Sequence, residues 1–164
     1  MKKKMFLVLF LVALVLAPAA SATLTTSSAA NSKYAVGLNL GTNTGVGFQY
    51  RMNREFDVIG NLGLNNFGLK YLSFDVAANY KVYEFSIEKA DFDVTVGVGP
   101  YVGIPIDAES KVALSVLAPV GLVYSINDND IPLDLYLRIA PGLKILPEIG
   151  FGFSGYLGAL WRFN

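Results

Sequence analysis

The residues from Glu148 to Phe163 alternate between two classes of side chain almost without a break. One parity carries large apolar groups, namely Ile149, Phe151, Phe153, Leu157, Trp161 and Phe163. The other carries small, polar or charged groups, namely Glu148, Gly150, Gly152, Ser154, Tyr156, Gly158 and Arg162. A period of two predicts a β-strand with two different faces. Large groups of this kind are typical of a strand face that contacts lipid.

The N-terminal region reads as an export signal. Lys2 to Lys4 form a positive segment, Met5 to Leu16 an apolar one, and Ala20-Ser21-Ala22 a small-x-small cleavage site. An uncleaved anchor is the alternative, but the apolar run is short for a membrane span. We therefore expect a cleaved signal peptide at 1–22, a flexible leader at 23–33, and a mature chain of about 142 residues.

Two absences narrow the possible functions. The chain has no cysteine and no histidine, so disulfides, thiolate or His-ligated metal sites and Ser-His-Asp or Cys-His catalysis are excluded. Loss of Lys2, Lys3 and Lys4 with the signal lowers Lys+Arg from 13 to 10 against 13 acidic residues. This mildly acidic balance gives no support for nucleic-acid binding. We expect a protein that is not an enzyme and needs no cofactor or metal.

The same alternation recurs along the chain from Tyr34 onward. It predicts eight strands, near 34–41, 45–52, 56–64, 72–82, 92–102, 116–126, 133–140 and 148–163. Asn and Gly mark a turn at Asn65–Gly68, and a charged connection is expected at about Tyr83 to Asp91. An even number of strands permits an up-and-down closure without edges. The expected fold is all-β, with residues 34–164 forming one eight-stranded antiparallel barrel with short loops.

Side-chain volume predicts which face of this barrel is outside. An eight-stranded barrel has an interior just wide enough to be filled by side chains. The apolar parity is rich in Phe, Tyr, Leu, Val and Ile, whereas the opposite parity is mostly Gly, Ala, Ser, Asn and Thr. Placing the large set inside would overpack the barrel. The large set is therefore expected to face hydrocarbon, which makes this a transmembrane β-barrel.

The small parity also carries charges of both signs. The predicted interior set is Arg51, Asp57, Asp75, Lys81, Asp93, Asp134, Arg138, Glu148 and Arg162. Because an isolated buried charge is very costly, we expect these groups to pair in a salt-bridge network, with Arg138 and Arg162 meeting acids of neighbouring strands. A narrow polar ion path is the alternative.

The segment Gly150-Phe-Gly152-Phe-Ser-Gly155 matches G-x-G-x-x-G, a spacing found in dinucleotide-binding turns. That motif requires a preceding strand and a following helix. Here it lies inside an alternating strand, so we expect it to be part of that strand.

The C-terminal residues Tyr156, Gly158, Trp161 and Phe163 resemble the insertion signal of bacterial outer-membrane barrels, which the barrel-assembly machinery recognises. Asn164 departs from the many members that end on the aromatic residue itself. The resemblance implies that outer-membrane lipid and the assembly machinery are partners.

Across nearly the whole mature chain, the sequence resembles small outer-membrane barrels related to the OmpA transmembrane domain and OmpX. The resemblance rests on Gly45-Val-Gly47-Phe, on Pro119-Val-Gly121-Leu with Asp130-Ile-Pro132-Leu-Asp134-Leu, and on Ala140-Pro141-Gly142-Leu followed by Gly150-Phe-Gly152-Phe. It implies a porin-like monomeric barrel in the bacterial outer membrane, reached after export across the inner membrane. It implies no activity.

The connections expected to face outward are short. They lie near Thr42–Thr44, Asn65–Gly68, Ile104–Lys111 and Lys144–Glu148. Binding residues are usually displayed on longer loops. The leading expectation is a structural or envelope-integrity role, and the alternatives are a surface barrel that binds a ligand or host factor, or a narrow pore.

Overall fold

The computed structural model describes residues 32–65, 71–87, 90–106, 110–127 and 131–163. In these ranges the regular elements are β-strands. No helix in the described ranges is long and apolar enough to cross a bilayer. The predicted signal peptide, residues 23–31 of the predicted leader, and residues 66–68 of the predicted turn lie outside the described residues.

The expectation of an all-β, antiparallel, up-and-down fold is confirmed. The strands are β1 (Tyr34–Gly41), β2 (Asn43–Arg51), β3 (Phe56–Asn65), β4 (Tyr71–Ile87), β5 (Ala90–Pro105), β6 (Ala113–Leu117), β7 (Val120–Asn127), β8 (Pro132–Leu146) and β9 (Gly150–Phe163). Each strand hydrogen-bonds to the next along the chain, except that β6 and β7 do not pair with each other. β9 pairs with β1.

The nine strands occupy eight positions in a ring of hydrogen-bonded neighbours. β6 and β7 share one position, because both lie between β5 and β8. Ala118 and Pro119 interrupt them, since proline has no N–H to give to a ladder. The ring stays connected across this break, where Ala118 donates to the Pro141 carbonyl at 2.8 Å and Gly97 donates to the Pro119 carbonyl at 2.7 Å.

The strands are staggered around the ring. Gly37 on β1 pairs with Leu160 on β9 and, on its other side, with Gly47 on β2. The row of paired residues then continues through Asn61, Asp75, Tyr101, Ser115, Lys144 and Gly150. It reaches β9 at Gly150, ten positions before Leu160. A ring with such a stagger has strands that are tilted to its axis.

The predicted charged connection at Tyr83 to Asp91 is largely wrong. β4 continues to Ile87 and β5 begins at Ala90, so both strands extend into this segment. The cause is a β-bulge: Lys81 pairs with Thr95, but Tyr83 pairs with Val94, leaving Val82 as an extra residue. The extra residue reverses the parity, so that the alternation continues one position out of phase.

The connection predicted at Lys144 to Glu148 is also shorter than expected. β8 runs to Leu146 and β9 begins at Gly150, so Lys144 lies within β8. Glu148 lies in the exposed connection between the two strands. The prediction that Glu148 joins the interior charges is therefore wrong, because the strand alternation ends before it.

The two faces of the sheet differ as the alternation predicts. Large apolar side chains are exposed on the outer face, among them Leu38, Val98, Leu137 and Phe153. The inner face carries the small and polar parity, and its members are buried, including Ala35, Asn61, Asp75 and Arg138. The apolar face is thus outside and most of the polar groups are inside, which is the reverse of an ordinary soluble domain.

Two glycines of the small parity provide a matched test of this packing. A Cβ on Gly37 would lie 1.8 Å from the Ala159 carbonyl oxygen, whereas a Cβ on Gly150 would meet no atom within 4 Å. We expect Gly37→Ala to lower the free energy of unfolding by about 3 kcal/mol or more, because backbone atoms of two paired strands must separate. Gly150→Ala should change it by less than about 0.5 kcal/mol. Urea titration followed by Trp161 fluorescence measures both, and equal effects would contradict the β1–β9 packing.

Candidate functional site

The ring has two ends, which are named here by the strands that begin and end at each. We call the one that carries Lys33 and Phe163 the terminal end; β2, β4 and β7 end there and β3, β5 and β8 begin there. The opposite end, where β1, β3, β5 and β8 end and β2, β4, β6 and β9 begin, is called the far end.

The interior has one polar wall and one mainly apolar wall. The polar wall, on β2 to β5, carries Asn43, Gln49, Arg51, Asp57, Asn61, Ser73, Asp75, Asn79 and Thr95. The apolar wall, on β1 and β6 to β9, carries Ala35, Leu117, Val123, Tyr136, Ala140, Tyr156 and Leu160. Asp134, Arg138 and Arg162 are the charged exceptions on the apolar wall. Because buried charges need partners, the charged residues on the apolar wall are expected to contact polar groups across the ring.

Asp134 is the centre of the charge cluster near the terminal end. Its side chain is 0% exposed, and it accepts from the Arg51 guanidinium at 2.6 Å and from the Ser125 hydroxyl at 2.7 Å. Nε of Arg162 lies 3.4 Å from the same carboxylate, and Arg162 also donates to the Ile126 carbonyl. Arg51 lies on β2 and Asp134 on β8, so this contact ties opposite walls together.

The predicted interior charges do not all pair with one another. Lys81 pairs with Asp93 at 2.7 Å and with Glu84 at 3.3 Å. Asp57 instead accepts from the Gln49 amide. Arg138 packs against the Tyr136 ring, with its guanidinium carbon 4.1 Å from the ring centroid. The expected network of salt bridges is thus only one part of a larger hydrogen-bonded set.

Asp75 belongs to a separate cluster nearer the far end. Its two oxygens accept from Nδ2 of Asn43 at 2.9 Å and from Nδ2 of Asn61 at 2.6 Å. The Ser73 hydroxyl donates to Oδ1 of Asn43 at 2.9 Å, and Asn39 donates to the Asn43 carbonyl. Neutral amides therefore satisfy this buried carboxylate, where opposite charges were expected.

The predicted charge network did not include uncharged partners, although the small parity that carries most of them was expected to face inward. Asn39, Asn43, Gln49, Asn61 and Asn79 are all buried on the inner face. The sequence carried a signal for them, because each lies on the small parity of its strand. There it places an amide at a position of the kind that is otherwise occupied mostly by Gly or Ala.

A cavity of about 740 Å³ opens at the terminal end. Its lining includes Gln49, Arg51, Asp57, Lys81, Thr95 and Arg162. Most of these groups are charged, so the opening of the ring at this end is polar.

Aromatic side chains form a belt on the outer face near the terminal end. Tyr34 lies 5.3 Å from Tyr50 and 6.0 Å from Phe163 between ring centroids, and Phe56 lies 4.7 Å from Tyr80. The stack continues through Tyr83, Phe85, Phe92 and Tyr124 at 5.2 to 6.1 Å. The bulge at Val82 keeps Tyr83 and Phe85 on the same side as this belt.

The four residues of the predicted assembly signal lie on both faces of β9. Tyr156 is buried and meets Tyr136 edge-on, with the two ring centroids 6.2 Å apart. Gly158 leaves room for that tyrosine, since a Cβ there would lie 2.5 Å from the Tyr136 hydroxyl. Trp161 is exposed on the outer face, whereas Phe163 is half-buried and stacks with Tyr34.

The chemistry of the interior is one of charge neutralisation and hydrogen bonding between strands. Among the described residues, no group of three or more Asp or Glu side chains could hold a metal ion. Comparison with protein-family models, with curated proteins and with solved structures found no match to this chain.

Proposed function

We propose that this chain is an integral β-barrel of the bacterial outer membrane, with a structural or envelope-integrity role and no catalysis. The observation that carries the proposal is the distribution of its faces. Residues such as Leu38, Val98, Leu137 and Ile139 expose large apolar surface around the ring. Contiguous apolar surface of this extent is costly in water but is matched to hydrocarbon.

The aromatic belt supports the same proposal. Membrane barrels carry girdles of aromatic residues at the level of the lipid headgroups. The belt defined by Tyr34, Tyr50, Phe56, Tyr80 and Tyr124 would mark the interface at the terminal end, which in this proposal faces the periplasm. Residues 1–22 support export, since they match a signal peptide.

The filled interior supports a structural role over a transport role. Tyr136, Tyr156 and Leu160 pack together on the apolar wall. They reach the opposite wall in the middle of the ring, since a Cβ on Gly47 of β2 would lie 2.9 Å from the Tyr136 hydroxyl and 3.2 Å from Cδ2 of Leu160. The segments that join the strands at the far end are short in sequence, which leaves little length for a dedicated binding loop. The proposed partners are outer-membrane lipid and, during biogenesis, the barrel-assembly machinery, and the proposed state is a monomer.

Expression of the full chain in a Gram-negative bacterium tests this proposal. We expect the protein in the outer-membrane fraction, beginning near Thr23 by intact mass, with an all-β circular dichroism spectrum. Its band on a detergent gel should shift on heating, because a closed barrel resists the detergent until it is unfolded. A protein that stays monomeric and folded in detergent-free buffer would overturn the proposal.

A further inference from the structure

Arg138 is a buried cation whose guanidinium is only partly satisfied. Its side chain is 1% exposed, and its Nε and Nη2 have no hydrogen-bond partner among the described residues. Buried polar groups are almost always hydrogen-bonded, and burying an ion without partners is very costly. The face of the Tyr136 ring attracts the cation but accepts no conventional hydrogen bond from either nitrogen.

Other unsatisfied atoms are found in the same interior. Five are acceptor oxygens, and they belong to Asn39, Gln49, Asp57, Asn61 and Asn79. Two are hydroxyl groups, which belong to Thr95 and Tyr136. Hydroxyl groups can donate or accept. The interior thus holds unsatisfied donors and unsatisfied acceptors together, within the described part of the ring.

Glycines bring some of these atoms towards common points. A Cβ on Gly121 would lie 2.7 Å from Oγ1 of Thr95 and 3.5 Å from Nε of Arg138. A Cβ on Gly47 would lie 2.9 Å from the Tyr136 hydroxyl and 3.4 Å from Oδ1 of Asn61. In both places the inner face of a glycine is bounded by two unsatisfied polar atoms, which is the environment of a bridging water.

The charges indicate which ligand these atoms would take. On the inner face, the guanidinium groups of Arg51, Arg138 and Arg162 are matched by the carboxylates of Asp57, Asp75 and Asp134. A cation would satisfy only the acceptors and an anion only the donors, and either would upset this balance. Water satisfies both kinds of atom without adding charge.

The cavity at the terminal end supplies an entrance. Gln49, Asp57 and Thr95 line that cavity, and each also has one of the unsatisfied buried atoms. Thr95 pairs with Gly121, and Gly121 pairs on its other side with Arg138. The cavity therefore ends next to the residue whose guanidinium needs solvent.

From these contacts we infer that the interior contains a water-filled shaft, which opens at the terminal end, reaches Arg138, and is closed towards the far end. The water solvates the Arg138 guanidinium and links it to Asp57 and to the amides of the polar wall. The inference depends on the ring and not on its insertion into a membrane.

The closure towards the far end has two parts. On the polar wall, both oxygens of Asp75 are hydrogen-bonded to amides, and Ser73 and Asn43 are hydrogen-bonded above it. Beside this cluster, Tyr101 on β5 packs with Leu117 on β6 and Ala140 on β8 in an apolar group that joins the two walls. The Asp75 carboxylate and the Ser73 hydroxyl already have partners, and the apolar group beside them offers none. Only Oδ1 of Asn39 and Oδ1 of Asn61 are left here as acceptors for water, and no donor among the unsatisfied atoms of the described residues belongs to the Asp75 cluster.

Nitrogen-15 NMR of the arginine side chains in detergent micelles tests the shaft directly. The chain has Arg51, Arg54, Arg138 and Arg162, so Arg→Lys variants assign the four Nε signals. We expect the Nε proton of Arg138 to exchange with water within about tenfold of the rate for exposed Arg54. Protection of the Arg138 proton for hours would overturn the inference. A saturable shift of its signal with added sodium chloride would also overturn it, because that result would show an anion site.

Single cysteines test where the shaft ends, since the chain has none of its own. Thr95→Cys should react with methyl methanethiosulfonate at least about 100-fold faster than Ser73→Cys, because only position 95 lines the cavity. Intact mass spectrometry measures the rates, and Ser86→Cys on the exposed hairpin gives the unprotected rate. Equal rates at 73 and 95 would overturn the closed end if both were fast, and the open end if both were slow.

Discussion

Replacing Asp134 with alanine should lower the free energy of unfolding by about 3–5 kcal/mol, because it leaves the Arg162 guanidinium, whose side chain is 2% exposed, without its carboxylate. Asp134 is fully buried and is shared by Arg51 at 2.6 Å and Arg162 at 3.4 Å. It also accepts from Ser125 at 2.7 Å. Urea titration of the chain refolded into lipid vesicles, followed by Trp161 fluorescence, measures the loss.

Asp93→Ala is the matched control for this variant. Asp93 also forms an ion pair, with Lys81 at 2.7 Å, but the Asp93 side chain is 21% exposed and the Lys81 side chain 29%. Ion pairs with access to water contribute little, so the control should cost less than about 1 kcal/mol. A second variant, Arg51→Met in the Asp134→Ala background, should restore part of the stability by removing one uncompensated charge. Equal losses for the two aspartates would show that Asp134 is not the centre of the charge cluster.

The sequence predicts the two faces of the sheet well because the strand period repeats without interruption over most of the chain. It fails where one residue is inserted. Val82 continues the upstream parity, yet Tyr83, Phe85 and Ile87 occupy the outer face after it. The sequence alone does not show that the intervening residue is a bulge, because a bulge is defined by the residues on the partner strand.

The interior contacts depend on information that no single strand contains. Parity places Arg51 and Asp134 on the inner face, but their contact joins β2 to β8 across the ring. It depends on the stagger that brings Gly37 level with both Gly47 and Leu160. The choice of amide partners for Asp75 has the same origin, since Asn61 is its direct neighbour in the β3–β4 pairing. The sequence thus shows on which face of the sheet a residue lies. It does not show which residues of the other strands lie level with it.

Leu137→Arg should lower the free energy of unfolding in lipid vesicles by about 2–4 kcal/mol, which is the cost of a basic side chain on the lipid face of a barrel near the bilayer midplane. Leu137 lies on the outer face of β8, pairs with Leu122 and Leu157, and is 55% exposed. In water, an exposed leucine could be replaced by arginine at almost no cost. The size of the effect therefore reports directly on what surrounds the ring.

Met52→Arg separates the effect of lipid from the effect of the substitution. Met52 is 65% exposed, in the connection between β2 and β3, beyond the aromatic belt formed by Tyr34, Tyr50 and Phe56. Because that position is at or beyond the headgroups in the proposed membrane arrangement, the change should cost less than about 1 kcal/mol. A large loss at position 137 with a small one at 52 requires hydrocarbon around the middle of the ring. Small and equal losses would mean that water surrounds both positions, and the membrane proposal would then be wrong while the ring and its interior contacts would remain.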